Sequence, residues 1–296
     1  MTTAAVLPEL TTTVHYNTVR IGDVDVFYRE AGSKNAPVLL LLHGFPTSSN
    51  MFRNLIPRLA GSFRLIAPDY PGYGFSGMPD RKSFPYTFEN MTTIVEQLLE
   101  KLDIHAYALY VMDYGAPIGY RLALRHPERV KGLVVQNGNA YDEGLLKFWD
   151  PIKKYWTDAS AENRDALRFL VTADATKWQY QNGVSDVTHL DPTTWTLDQA
   201  LMDRPGNGDI QLDMLYDYRT NVPLYPQFQD FFRKYQPPTL IVWGKNDFIF
   251  PPEGAIPYKR DLPNVVTHLL DTGHFALETH VEEIASRIEH FFEHNK

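Results

Sequence analysis

Short, mostly apolar runs recur along the chain, separated over much of its length by longer stretches in which apolar residues return every three or four positions. "PVLLLLHG" (37–44), "FRLIAPD" (63–69), "YALYVM" (107–112), "VKGLVVQN" (130–137), "PTLIVWG" (238–244) and "VVTHLLD" (265–271) read as strands buried on both faces. "DVFYRE" (25–30) reads as an earlier strand. Between them, "SSNMFRNLIPRLA" (48–60) has the period of an amphipathic helix with serines as its start signal. "TFENMTTIVEQLLEKLD" (87–103) has a Thr-x-Glu start and carries Ile94, Leu98, Leu99 and Leu102 on one face. A helix follows Asp113, a helix-prone stretch starts at Pro252, and a terminal helix runs from Val281. Such alternation predicts an α/β fold with a mostly parallel sheet flanked by helices.

The alternation stops after Asn139. Residues 140–235 are rich in Trp, Tyr, Asp and Pro, with helical stretches and no strand pattern, and alternation resumes at 236. The expected organisation is a core built from 1–139 and 236–296, interrupted by a helical cap insertion over 140–235. No internal repeat and no low-complexity segment is apparent.

Composition narrows the partners. Of 296 residues, 44% are hydrophobic and 13% aromatic, enough for a sizeable core. The charge is 28 − 36 = −8 with no basic run, which argues against nucleic acid and anionic membranes as partners. Cysteine is absent, so disulfides and thiolate chemistry are excluded. "MTTAAVLPELTTTVHY" at the N-terminus lacks a basic n-region and a long apolar h-region, and "VLLLL" (38–42) is too short to span a bilayer. A soluble, cytoplasmic protein is the expectation.

The chemistry gathers at three places. "YVMDYGAPIGYRLA" (110–123) reads as strand, sharp turn and helix, with Asp113 at the turn and Gly115, Ala116 and Gly119 behind it. This is the outline of a nucleophile elbow, although Val111 stands where G-x-S-x-G has its first glycine. Asp113 also reads as a helix N-cap, worth about 1 kcal/mol. The other two places favour the nucleophile. "KNDFIFPP" places Asp247 in the loop after one strand, and "TGHFALE" places His274 in the loop after the next. Nucleophile, acid and histidine thus follow in the chain order of this triad type, each at the carboxyl end of a strand, where open α/β sheets collect their sites. Two backbone N–H groups would form the oxyanion hole, that of Tyr114 and that of Phe45 in "HGFP"; Pro46 has no N–H to offer.

With "HGFP" (43–46), "DYPGYGFS" (69–76), "MDYGAP" (112–117), "GKNDFIFPP" (244–252) and "DTGHFALE" (271–278), the chain resembles the aspartate-nucleophile α/β-hydrolases, the epoxide hydrolase and haloalkane dehalogenase group. The resemblance covers 25–139 and 237–293. It implies a cofactor-independent enzyme, with no metal, acting on a small apolar organic substrate and water. "HGFP" is similar to the epoxide hydrolase form of that loop. Dehalogenases place a side-chain N–H donor at the Phe45 position or tryptophan at that of Tyr114, and this chain has neither. Epoxide hydrolases too commonly have tryptophan where Tyr114 stands. The arginine pair of fluoroacetate dehalogenases would fall on Tyr114 and Pro117.

A carboxylate at the elbow changes the reaction. Near its reference pKa of about 3.9 it is ionised at neutral pH and attacks an sp³ carbon without a base, forming an alkyl ester. Attack on an ester carbonyl would give a mixed anhydride, so esterase chemistry is disfavoured. His274, oriented by Asp247, would then activate the water that cleaves the ester. An epoxide oxygen leaving as alkoxide needs a strong donor such as a phenol. The insertion holds Tyr141, Tyr155, Tyr180, Tyr216, Tyr218 and Tyr225; the resemblance points to Tyr218 and then Tyr155, each of which also reads as a buried packing residue. Trp149, Trp156, Trp178 and Trp195 could line an apolar pocket or hold a halide. Three functions therefore stand: epoxide opening first, haloalkane dehalogenation with an atypical halide site, or ligand binding without turnover.

Two further patterns carry no chemistry. "GYGFSG" (72–77) fits G-x-G-x-x-G, but "MPDRKSFPY" follows instead of the helix a pyrophosphate needs. "HFFEH" (290–294) fits a zinc-peptidase pattern, but it ends the chain's last amphipathic helix and has no downstream third ligand.

Overall fold

The computed structural model describes residues 12–295. The reading of the N-terminal segment as lacking a signal falls largely on residues 1–11, outside the described residues. One sheet of eight strands organises the molecule: β1 (His15–Ile21), β2 (Val24–Ala31), β3 (Val38–Leu42), β4 (Arg64–Pro68), β5 (Tyr107–Met112), β6 (Val130–Gln136), β7 (Thr239–Gly244) and β8 (Val266–Leu270), in spatial order β1-β2-β4-β3-β5-β6-β7-β8. β2 runs antiparallel to both its neighbours, and every pair from β4 to β8 is parallel.

The apolar runs of β3 to β7 form strands because both sides of the sheet are covered there; β8, expected to be buried on both faces, is instead a largely exposed edge strand. In β3, Leu39 and Leu41 pack into one core cluster while Leu40 and Leu42 pack into the other; in β5, Ala108, Tyr110 and Met112 alternate with Tyr107, Leu109 and Val111 in the same way. One cluster is closed by the helices Phe88–Lys101 and Gly115–Arg125, the other by the segment 49–60 and the helix Leu277–His294. Thr87 caps the first of these helices, its side chain accepting from the N–H of Asn90 at 3.1 Å.

Three elements differ from the sequence reading. The stretch 48–60 is two short pieces, a 3₁₀ turn Ser49–Phe52 and a single helical turn Ile56–Leu59, because Pro57 cannot donate the hydrogen bond that would join them. β1 was not foreseen: it is a sheet edge with a largely exposed, polar surface, so no apolar period marks it. The last helix begins at Leu277 and is interrupted by non-helical His280, so its regular part starts at Val281.

Between β6 and β7 the described elements are all helical, including Asp150–Thr157, Ala173–Gln181, Thr193–Met202, Asn207–Asp217 and Tyr225–Tyr235. Among the described residues no helix is long and apolar enough to cross a membrane. The loop 69–77 acts as a brace: Asp69 accepts hydrogen bonds from the N–H of Ser49 at 2.7 Å and of Phe75 at 2.8 Å, tying the chain after β4 to the chain after β3. His290 and His294 lie on the exposed last turn of the terminal helix.

The helix Gly115–Arg125 rests directly on β3. A Cβ on Gly115 would stand 2.1 Å from the carbonyl oxygen of Leu42. Gly115→Ala is therefore expected to push the helix off the sheet and cost on the order of 3 kcal/mol, seen as a lowered urea midpoint. Gly61→Ala, with nothing within 4 Å of the added methyl, should change stability by less than about 1 kcal/mol.

Candidate active site

At the carboxyl end of β5 the chain turns so sharply that Asp113 takes φ +50°, a left-handed conformation unusual for a residue with a side chain. Its carboxylate points back over the sheet. Oδ1 accepts hydrogen bonds from the backbone N–H of Phe45 at 2.7 Å and of Tyr114 at 2.6 Å. Gly44 makes this approach possible, since a Cβ there would overlap the Asp113 carboxylate at 2.3 Å. The helix that follows begins at Gly115 without a side-chain cap, so Asp113 is not an N-cap.

His274 and Asp247 complete the arrangement. Nδ1 of His274 lies 2.7 Å from Oδ2 of Asp247, and Nε2 lies 3.8 Å from Oδ2 of Asp113, with no hydrogen-bond partner of its own. All three side chains are buried. The sequence thus brings together the five expected groups, Asp113, Asp247, His274 and the N–H groups of Phe45 and Tyr114, at one point above the sheet.

Asn137, which the sequence reading missed, fixes Asp247. It leaves β6 at φ +44°, and its Nδ2 donates to Asp247 Oδ2 at 2.8 Å while its Oδ1 accepts from Gly244 N–H at 2.9 Å. The N–H of Ile249 occupies Asp247 Oδ1 at 2.7 Å. The available signal was "QNGN" at the carboxyl end of a buried strand, polar residues where the fold collects its site. His43 shapes the other side: its Nδ1 contacts Gly44 O at 2.9 Å, its ring stacks on Tyr70 at 4.2 Å, and burial lowers its pKa to about 3, so it stays neutral.

Burial raises the pKa of Asp113 to about 6, opposed by the His274 charge and the two N–H donors. The carboxylate is thus ionised at neutral pH, but less firmly than its reference value implies. Burial pulls His274 down, and Asp247, its hydrogen bond and Asp113 together lift it above the ordinary imidazole value.

A small cavity of about 20 Å³ adjoins Asp113. Its walls are Phe45 and Tyr114 from the core, Ile249 from the Asp247 loop, and Phe148, Trp149, Ile152, Leu170, Gln179 and Leu215 from the helical segment. Neither expected tyrosine is among them. Tyr155 accepts a hydrogen bond from Arg164 at 3.0 Å, in a cluster with Asp213 and Asp209. Tyr218 stands behind the wall, its ring against Trp149 at 4.4 Å and Trp156 at 5.8 Å and its hydroxyl 3.4 Å from that of Tyr225. The Tyr155 hydroxyl is engaged by Arg164, and that of Tyr218 lies against Tyr225, its pKa raised by burial first and with the Asp113 charge among the further influences that raise it.

The model of the alpha/beta hydrolase fold family matches residues 37–281. An uncharacterised hydrolase of Saccharomyces cerevisiae is 46% identical over 285 residues, 95% of this chain and 98% of that protein. A cis-3-alkyl-4-alkyloxetan-2-one decarboxylase of Shewanella oneidensis is 27% identical over 268 residues, 86% of this chain and 81% of that one. A haloalkane dehalogenase of Mesorhizobium japonicum is 43% identical over 115 residues, 39% of this chain and 36% of that one.

Asn137→Ala should remove three hydrogen bonds, to Asp247 and to the N–H and carbonyl of Gly244, and place alanine in a left-handed turn, at a combined cost of about 3 kcal/mol in denaturant unfolding. An unfolding curve that matches the native one would show that Asp247 is held without it.

Proposed function

The chain belongs to the α/β-hydrolase family, and on that premise we propose that it is a cofactor-independent hydrolase that forms a covalent ester on Asp113 and opens a small apolar epoxide to a diol. One observation carries the reading: one oxygen of Asp113 is held by two backbone N–H groups while the other faces His274 Nε2 across 3.8 Å.

In the first step Oδ2 attacks a ring carbon. The new C–O bond forms as the ring C–O bond breaks, and the electron pair leaves on the ring oxygen, which takes a proton from water. Oδ1 becomes the ester carbonyl oxygen, already in its hole. His274 Nε2 then takes a proton from a water that attacks the Asp113 carbonyl carbon, and the N–H groups of Phe45 and Tyr114 hold the oxyanion that forms. Collapse expels the diol alkoxide, which recovers the proton from His274; Asp113 returns to its carboxylate by releasing the proton that balances the first step.

The two steps want opposite things of His274. A cation beside Asp113 keeps the buried carboxylate ionised for attack, whereas the second step needs a neutral base. Esterification resolves the conflict, because it cancels the Asp113 charge that helps hold the proton on His274. The apolar walls suit a small uncharged substrate. The alternative is haloalkane dehalogenation with an atypical halide site, in which the two indoles take no part. The indole N–H groups of Trp149 and Trp156 donate to the carbonyls of Ile249 and Leu215, each at 2.8 Å, and are not free for a halide.

His274→Gln mixed with styrene oxide should gain the mass of one substrate, because attack needs no base and hydrolysis does; the native protein should release diol. Bromide release from a bromoalkane without diol from any epoxide would transfer the assignment to dehalogenation. Asp113→Ala should form no adduct.

The pH dependence of that trapped adduct has a definite sign. His274 is the largest influence lowering the Asp113 pKa, so its removal leaves burial less opposed. Adduct formation in His274→Gln should rise through a limb lying above pH 6 and then level off. A limb near the ordinary carboxylate value of about 4 would contradict the electrostatics described here.

A further inference from the structure

We propose that Gln179 is the leaving-group donor of this site, its side-chain amide N–H holding the oxygen released from the carbon that Asp113 attacks; this rests on the covalent reading above. Gln179 is 2% exposed, its Nε2 has no hydrogen-bond partner, and its side chain lines the cavity that Asp113 lines. Leaving a buried donor unpaired costs free energy, and of the residues lining this cavity two carry such an atom, Gln179 and Tyr114; of the two, Gln179 is the one the helical segment contributes. Here the unpaired donor belongs to the helical segment and lines a cavity that Asp113 also lines.

The neighbours of Gln179 hold it in place. Tyr180, the next residue, stacks on Phe275 at 4.0 Å, directly beside His274, and its hydroxyl bonds the Asp198 carboxylate. Three residues further on, the carbonyl of Gly183 accepts from Asn246 Nδ2 at 2.9 Å, directly beside Asp247. The end of the helix Ala173–Gln181 is therefore fastened to both loops that carry the catalytic acid and base. A donor placed on such a fastened element keeps its distance from Asp113 while substrate enters, which is what stabilisation of a developing negative charge requires.

An amide N–H does not give up its proton. It supports the developing alkoxide by a hydrogen bond while the C–O bond breaks, and water supplies the proton afterwards.

The test uses single-turnover ester formation with styrene oxide in the His274→Gln background, with and without Gln179→Leu. The added substitution should slow adduct formation on the order of tenfold to a thousandfold, the range for loss of one preorganised donor or one acid–base group. In the otherwise native protein, Gln179→Leu should leave the breakdown rate of the ester unchanged and should not lower the melting temperature, since no internal hydrogen bond is lost. Gln179→Met, of similar length and without an N–H, repeats the measurement should leucine fold poorly. Adduct formation at the His274→Gln rate in either double variant overturns the assignment, as does equal slowing of formation and breakdown. No adduct in His274→Gln itself overturns the covalent reading and this assignment together, and so separates that failure from a failure of Gln179 alone.

Discussion

A carboxylate buried at a left-handed turn is the constraint around which this molecule is arranged. Burial alone would keep Asp113 protonated and inert, since the uncompensated charge is far costlier inside than in water. The surroundings answer on three sides. Phe45 and Tyr114 give N–H donors to one oxygen, His274 brings positive charge to the other, and the backbone of Gly44 leaves room for the group to sit between them. Each answer makes its own demand. The Phe45 loop must be braced by Asp69 and by the His43–Tyr70 stack, and the helix behind Tyr114 must rest on bare backbone at Gly115.

The same logic runs outward through the acid. Asp247 shares a buried site with His274, and each of its oxygens is occupied: Oδ2 by His274 and Asn137, Oδ1 by Ile249. Asn137 also bonds the backbone of Gly244 at 3.2 Å, which joins the ends of β6 and β7 next to each other in the sheet. Sheet register, acid orientation and histidine basicity are therefore one connected arrangement, and a change at Asn137 reaches Asp113 through two intermediate side chains.

Much of this was legible from the residues, for identifiable reasons. Buried parallel strands advertise themselves as apolar runs, which is why β3 to β7 could be read; β8 is an edge strand with Val266 and Leu269 exposed, read from its own apolar residues, and the carboxyl ends of these strands then locate Asp113, Asp247 and His274. β1 was hidden because an edge strand pairs on one side only and its polar residues obey no core. Asn137 was hidden because a polar residue after a strand looks like any turn. The tyrosines of the helical segment show the sharper limit. Sequence places Tyr155 and Tyr218 close to the core, but whether a ring turns its hydroxyl into a cavity or into a stack depends on neighbours such as Trp149, Trp156 and Arg164. Gln179 was overlooked for the converse reason: a glutamine in a helix is ordinary until its burial and lack of a partner are known.

The cavity's size imposes a last condition. About 20 Å³ accommodates a water or two and no organic substrate, so lining side chains must move for turnover. Their costs of moving differ. Trp149 is anchored to the Ile249 carbonyl, and the chain from Gln179 to Gly183 is fastened to the His274 and Asp247 loops. Phe148 has no such tether: it is half-buried and reaches solvent through contacts with Trp178 and Phe248, which are 37% and 47% exposed. Rotating a half-exposed aromatic ring breaks no hydrogen bond, whereas displacing Trp149 leaves a buried N–H and a buried carbonyl unpaired. Of these side chains Phe148 is therefore the one whose displacement costs least, and it can move while Asp113, His274 and Trp149 keep their hydrogen bonds.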